Sequence, residues 1–245
     1  MKLRLLALYP DQMNIYADRG NILFLRRRCE WRGIEFEHAT SGPGEGFDPG
    51  AHDLIYVGGG QDRDQRLVAG DMVATKRAAL STAVDDGAVV LAVCGGYQLL
   101  GHSYQLGAER IEGLGLVDLE TVRFDGPRLI GNVVIEASLG GADRPLEIAG
   151  FENHGGRTHL GPGAEPLGRV ISGHGNNGTD GLEGVRRANL IGTYLHGPLL
   201  PKNVALADRL IAIALGRSAA AEPELEPLDD ELESAAHRSA RAAAG

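Results

Sequence analysis

Residues 89–101 read VVLAVCGGYQLLG. Five consecutive apolar residues, Val89 to Val93, have the composition of a strand covered on both faces. Cys94 follows at once, then Gly95 and Gly96, then a stretch suited to a helix. A sharp strand-to-helix turn presents one side chain at the carboxyl edge of a sheet, and glycines beside it permit tight backbone and close approach of a substrate. Backbone N–H groups at a helix start lower a thiol pKa and donate to an oxyanion. Cys94 therefore reads as a nucleophile. The other cysteine, Cys29, lies on the apolar stripe of a helical pattern and reads as core.

The chain upstream alternates. Residues 2–9 and 54–57 are compact apolar runs, 34–38 alternates like a short strand, and 21–31 and 71–84 carry helical periodicity. Strand–helix alternation implies an α/β domain with a mostly parallel, doubly wound sheet. Beyond Gly101, short apolar runs at 115–119, 129–136, 146–151 and 169–172 are separated by Gly-rich turns and suggest an antiparallel extension of the same sheet. Residues 189–194 return to a buried strand, and 204–215 form a final amphipathic helix. One domain thus spans 1–216. From 217 to 245 the composition shifts to Ala, Glu, Pro and Arg, which reads as a tail that is disordered or partly helical.

Composition excludes several classes. A net charge of −9 argues against a nucleic-acid surface, and the run Arg26-Arg27-Arg28 reads as the solvated face of a helix. No stretch approaches the roughly 18 apolar residues of a membrane span. The N-terminal run, with no small-residue cleavage site after it, reads as a buried first strand and not a signal peptide. Two cysteines cannot build a disulfide framework or a multi-thiolate zinc site, so a reduced, cytoplasmic protein is expected. Glycine is the anomaly: 36 of 245 residues, roughly twice the usual share of about 7%.

A thiolate nucleophile needs a base, usually a histidine. Of eight histidines, His38, His52, His102 and His237 occupy ordinary surface or loop contexts, while His159 and His174 lie in Gly-rich turns and stay ambiguous. His154, in FENHGGR, follows a strand and reads either as a substrate-orienting group or as a turn cap. His196 stands apart. It follows the apolar run 189–194, just before a Gly-Pro break. If that strand parallels the strand leading to Cys94, the two side chains meet at one sheet edge. Gly58-Gly59-Gly60 also ends a buried run, and its bare N–H groups suit the second half of an oxyanion hole. No Gly-Lys-Ser/Thr follows to make it a phosphate loop. The polar segment 61–65 reads as functional or merely exposed.

These residues resemble a known family. CGGYQ at 94–98 resembles the nucleophile elbow of class I glutamine amidotransferases, and TYLHGP at 193–198 resembles the histidine segment of their cobyric acid synthase-like branch. Seven ordered blocks, YPDQMNIYADRGN (9–21), IYVGGGQDRDQ (55–65), CGGYQLLG (94–101), IEGLGLVD (111–118), GFENHGGRT (150–158), GHGNNG (173–178) and GTYLHGPLLPKN (192–203), resemble the glutaminase subunits of lipid II isoglutaminyl synthases.

The resemblance implies a three-layer α/β fold: a mostly parallel sheet, helices on both faces and an antiparallel extension. It implies glutamine hydrolysis with Cys94 as nucleophile and His196 as general base. Arg128, in GPRLIGNVV, would clamp the substrate α-carboxylate, a task suited to a guanidinium. The amides of Gly60 and Gly95 would hold the oxyanion, and Gln98 would line the glutamine pocket. No metal or cofactor is expected in this chain. ATP and Mg²⁺ are expected on a MurT-like, Mur-ligase-type synthetase partner, which would use the ammonia to amidate D-glutamate of lipid II to D-isoglutamine in peptidoglycan synthesis. The alternatives are a glutaminase serving another cobyrinate-type synthetase, or a non-catalytic glutamine- or partner-binding scaffold. One departure matters. Many class I glutaminases place a glutamate two residues after the histidine, where this chain has Pro198. The site then runs as a Cys–His dyad, or Glu152 or a partner acid supplies the third group.

Overall fold

Three apolar runs, β3 (Leu54–Val57), β4 (Val89–Val93) and β14 (Leu190–Thr193), are buried at every residue, and they form the middle of the central sheet. The computed structural model describes residues 1–15, 19–139, 145–219 and 221–245. Residues 16–18 of the 9–21 block and residue 220 of the tail lie outside the described residues. With β1 (Lys2–Leu8), β2 (Glu35–Ser41) and β13 (Val185–Arg187), the sheet has the order β13-β14-β4-β3-β1-β2. All neighbours run parallel except β13, which closes one edge antiparallel to β14. Continuous apolar runs are what a sheet covered on both faces requires.

Helices supply that cover. On α1 (Arg19–Trp31), Ile22, Leu25 and Cys29 face inward, and α1 packs on β2 and on α5 (Val204–Gly216), which itself rests on β1 and β4. Between β3 and β4 run α2 (Asp62–Asp71), a π-helical turn at Met72–Lys76, and α3 (Arg77–Asp85). The short α4 (Gly95–Leu99) follows β4 and packs against α2 and β14. The helix expected at 71–84 thus begins nine residues earlier. Its first turn is polar and escapes a hydrophobic periodicity, but Asp64 accepts from the Gln61 backbone N–H at 3.1 Å and fixes the start as a capping box.

The strands beyond α4 differ from expectation. They do not lengthen the central sheet. β5 (Ser103–Leu106), β6 (Glu109–Glu112), β7 (Leu119–Arg123) and β10 (Gly156–Leu160) form one four-stranded sheet. β8 (Leu129–Ala137), β9 (Leu146–His154), β11 (Gly168–Ser172) and β12 (Leu182–Glu183) form another. The central sheet's edges are already taken by β2 and β13, so the later hairpins pair among themselves, led by the nine-residue β8–β9 ladder from Leu129↔His154 to Ala137↔Leu146.

Arg28 corrects the reading of the basic run. Arg27 is exposed, but Arg28 is fully buried, its guanidinium held by Asp208 at 2.5 Å and Asp230 at 2.6 Å. Successive helical residues turn by about 100°, so adjacent arginines cannot share one face. The tail from residue 221 lies along the domain: Arg32 donates to the Glu226 carbonyl at 2.7 Å, and α6 (Glu231–Ala242) packs on β8, β9 and the 3₁₀ turn Leu200–Lys202. No helix among the described residues is long and apolar enough to cross a membrane.

Candidate active site

Register decides which residues meet. Val57 pairs with Ala92 and Val93 with Thr193, all in parallel strands, so the chain leaves β3, β4 and β14 at one edge. Gly58–Gly60, Cys94 and the Tyr194–His196 segment emerge there together. Cys94 has φ 49° and ψ −104°, a left-handed conformation rare outside glycine. Such strain costs of order 1–3 kcal/mol and persists where surrounding structure fixes it. Here the Cys94 N–H donates to the Thr193 carbonyl at 2.8 Å, and the Gln98 N–H to the Cys94 carbonyl at 2.9 Å.

The neighbouring glycines are obligatory for space. A Cβ on Gly95 would lie 2.8 Å from the Gly60 carbonyl oxygen and 2.9 Å from its nitrogen, and one on Gly96 would lie 2.8 Å from the Gly58 oxygen. The Gly60 and Gly95 backbones are therefore in direct apposition beside the thiol. Cys29 is the contrast: fully buried, with burial pushing its thiol up to about 12.

Cys94 borders a cavity of about 280 Å³ whose wall also includes Gly60, Gln98 and Arg128. Four of the six residues named from sequence thus share one cavity, and Gly95 adjoins it through Gly60. His196 is not in the wall. It is fully buried, its backbone bridged both ways to Phe151. A cavity of this size sits at the small end of the ligand-pocket range of about 300–1,000 Å³ and suits an amino acid better than a larger molecule.

A buried polar chain stiffens the floor. Gln65 Nε2 donates to Gln98 Oε1 at 2.9 Å and Gln98 Nε2 to the Tyr194 hydroxyl at 3.0 Å, which in turn shares a 2.6 Å hydrogen bond with Thr158. His154 stacks on Tyr194 with ring centroids 3.5 Å apart, and its Nδ1 lies 2.8 Å from the Gly156 carbonyl, so Nδ1 carries the proton. Burial lowers the His154 pKa and keeps the ring neutral. Arg128, in the cavity wall, is held by Asn153: Nε donates to Asn153 Oδ1 and Nη2 to the Asn153 carbonyl, both at 2.7 Å.

Pro198 packs against the start of α1, its Cγ 2.7 Å from where a Cβ on Gly20 would stand. Glu152 is fully buried, and its carboxylate accepts the backbone N–H groups of His174 at 2.6 Å and Gly175 at 2.9 Å. Sequence reading missed a second buried acid, Glu183. It accepts the Tyr194 N–H at 2.7 Å and the Thr193 hydroxyl at 3.0 Å, at the root of the segment that carries His196. Burial raises its carboxyl to about 8; the charge of Glu152 adds to the rise and that of His196 opposes it. Flanked by turn glycines in LEG, Glu183 offers no periodicity that would reveal it. Asp62 and Gln65, also in the cavity wall, come from the polar segment left undecided.

A strained cysteine elbow at the carboxyl edge of a parallel sheet, set beside apposed glycine amides, defines a class I glutamine amidotransferase domain. Residues 4–204 match the CobB/CobQ-like glutamine amidotransferase domain, and the chain belongs to that family. It is 43% identical to the lipid II isoglutaminyl synthase (glutamine-hydrolyzing) subunit GatD of Staphylococcus aureus, over 84% of this chain and 82% of that one. It is 39% identical to the same-named subunit of Streptococcus pneumoniae, over 94% and 87%. Among solved structures, a glutamine amidotransferase of Thermotoga maritima shares the fold, with a TM-score of 0.53 at 14% identity, covering 98% of this chain and 94% of that one.

Proposed function

We propose that this chain is the glutaminase subunit of a lipid II isoglutaminyl synthase, hydrolysing L-glutamine to glutamate and ammonia. The observation that carries the reading is the positive-φ Cys94 lining a cavity together with Arg128. The Cys94 thiolate attacks the side-chain amide carbon, and the oxyanion is held by the N–H groups of Gly60 and Gly95. His196 protonates the departing ammonia. Water activated by the same histidine then releases glutamate from the thioester. Arg128 holds the substrate α-carboxylate, and Gln98 lines the pocket.

The ammonia passes to a MurT-like, Mur-ligase-type synthetase subunit in the cytoplasm, where ATP and Mg²⁺ serve to activate the D-glutamate α-carboxylate of lipid II. Glutamate release from glutamine by the chain together with this partner tests the proposal. Wild type is expected to turn over, and Cys94→Ser to lose at least about 10³-fold. Equal rates would overturn the assignment. Amidation of lipid II by the assembled pair tests the pathway.

A further inference from the structure

The cavity wall is chemically divided. Arg128 offers N–H donors from the loop before β8, while α2 offers acceptors. Asp62 and Gln65 lie three residues apart on α2, on one helical face, and both line the cavity. Gln65 is 2% exposed. Its Nε2 faces two acceptors, Gln98 Oε1 at 2.9 Å and the Gly60 carbonyl at 3.4 Å, which fixes the orientation of the amide. Its Oε1 is then left buried without a hydrogen-bond partner among the described residues. A buried acceptor left unsatisfied costs about 1–3 kcal/mol, which a donor brought into the cavity would offset.

Asp62 is similarly incomplete. Its Oδ1 accepts from the Tyr104 hydroxyl at 3.0 Å, and Arg123 approaches Oδ2 only to 3.8 Å, outside hydrogen-bond reach. Arg123 offsets the charge of Asp62 without occupying it. A carboxylate has about four acceptor sites, so Asp62 retains capacity toward the cavity.

We propose that Asp62 and Gln65 form the ammonium subsite of this pocket, binding the α-amino group of a free L-amino acid whose carboxylate is held by Arg128. An ammonium carries three donors and no acceptor, which is the complement of this wall. The pocket then selects free glutamine over side-chain amides that lack the α-amino group or carry it acylated, because those leave Asp62 and Gln65 unpaired. The inference rests on the glutamine-hydrolysing reading and names a specificity determinant within it.

The test compares kcat/KM for L-glutamine and for its des-amino analogue, 4-carbamoylbutanoate, using the chain assembled with its synthetase partner. Asp62→Asn should lower the preference for L-glutamine at least about tenfold, through KM more than kcat. Tyr104→Phe, which frees Oδ1 while keeping the charge, should move the same ratio by less and serves should Asp62→Asn fail to fold. An unchanged ratio in both variants, or equal losses on both substrates, overturns the inference and leaves the glutaminase reading standing. If the wild-type assembly releases no glutamate, both fall.

Discussion

The two walls of the cavity are built differently. The wall at the carboxyl edge of the central sheet is made of backbone: Gly60 against Gly95, Gly58 against Gly96, and a cysteine held at positive φ. Another part of the wall is made of side chains from the loop before β8 and the end of β9, with Arg128 on Asn153 and His154 stacked on Tyr194. Backbone apposition tolerates no added atom, whereas a side-chain wall tolerates substitution at the cost of affinity. The first wall should therefore govern the chemical step and the second the recognition of substrate.

The sharpest way to break this contrast is one methyl group. Gly95→Ala brings a Cβ within 2.8 Å of the Gly60 oxygen, and backbone there has no flexible end to yield. Displacing an oxyanion donor costs about 10²–10³ in kcat. Glutamine turnover should fall by at least that factor while KM changes little, as steady-state kinetics would read. A loss confined to KM would show that the glycine wall serves binding.

Arg128→Ala tests the second wall. Losing a charge-assisted pair to a carboxylate is worth about 1.5–3 kcal/mol, so KM for glutamine should rise roughly 10- to 100-fold with kcat changed far less. Because Asn153 holds the guanidinium at two points, Lys cannot reproduce the geometry, and Arg128→Lys should recover only part of the loss.

The same contrast explains what the sequence made legible. Continuous apolar runs announce β3 and β4 to the residue, and a cysteine followed by two glycines announces the elbow, because both are local. The recognition wall depends on pairings distant in sequence, such as Leu129 with His154 and Phe151 with His196. No local pattern shows that its hairpins form separate sheets. Arg28 was misread for a related reason: its partners Asp208 and Asp230 lie about 180 and 200 positions away. The Arg128 role came from family resemblance alone, since a Gly-Pro-Arg loop carries no signature of anion binding.

Glu183 belongs to neither wall, and its ionisation is read in stability and not in turnover. Its carboxyl is raised from 4.5 to about 8 by burial. Between those values the folded state holds a proton that the unfolded chain has released. Stability from this group is therefore full below about pH 4.5 and is lost as pH rises through about 8. Glu183→Gln keeps an acceptor for the Tyr194 N–H and Thr193 hydroxyl but removes the titration. Denaturant melts of wild type from pH 5 to pH 8 should show the decline, and the variant should flatten it. Parallel slopes would place the ionisation elsewhere and leave Glu183 as a neutral hydrogen-bond acceptor beneath the His196 segment.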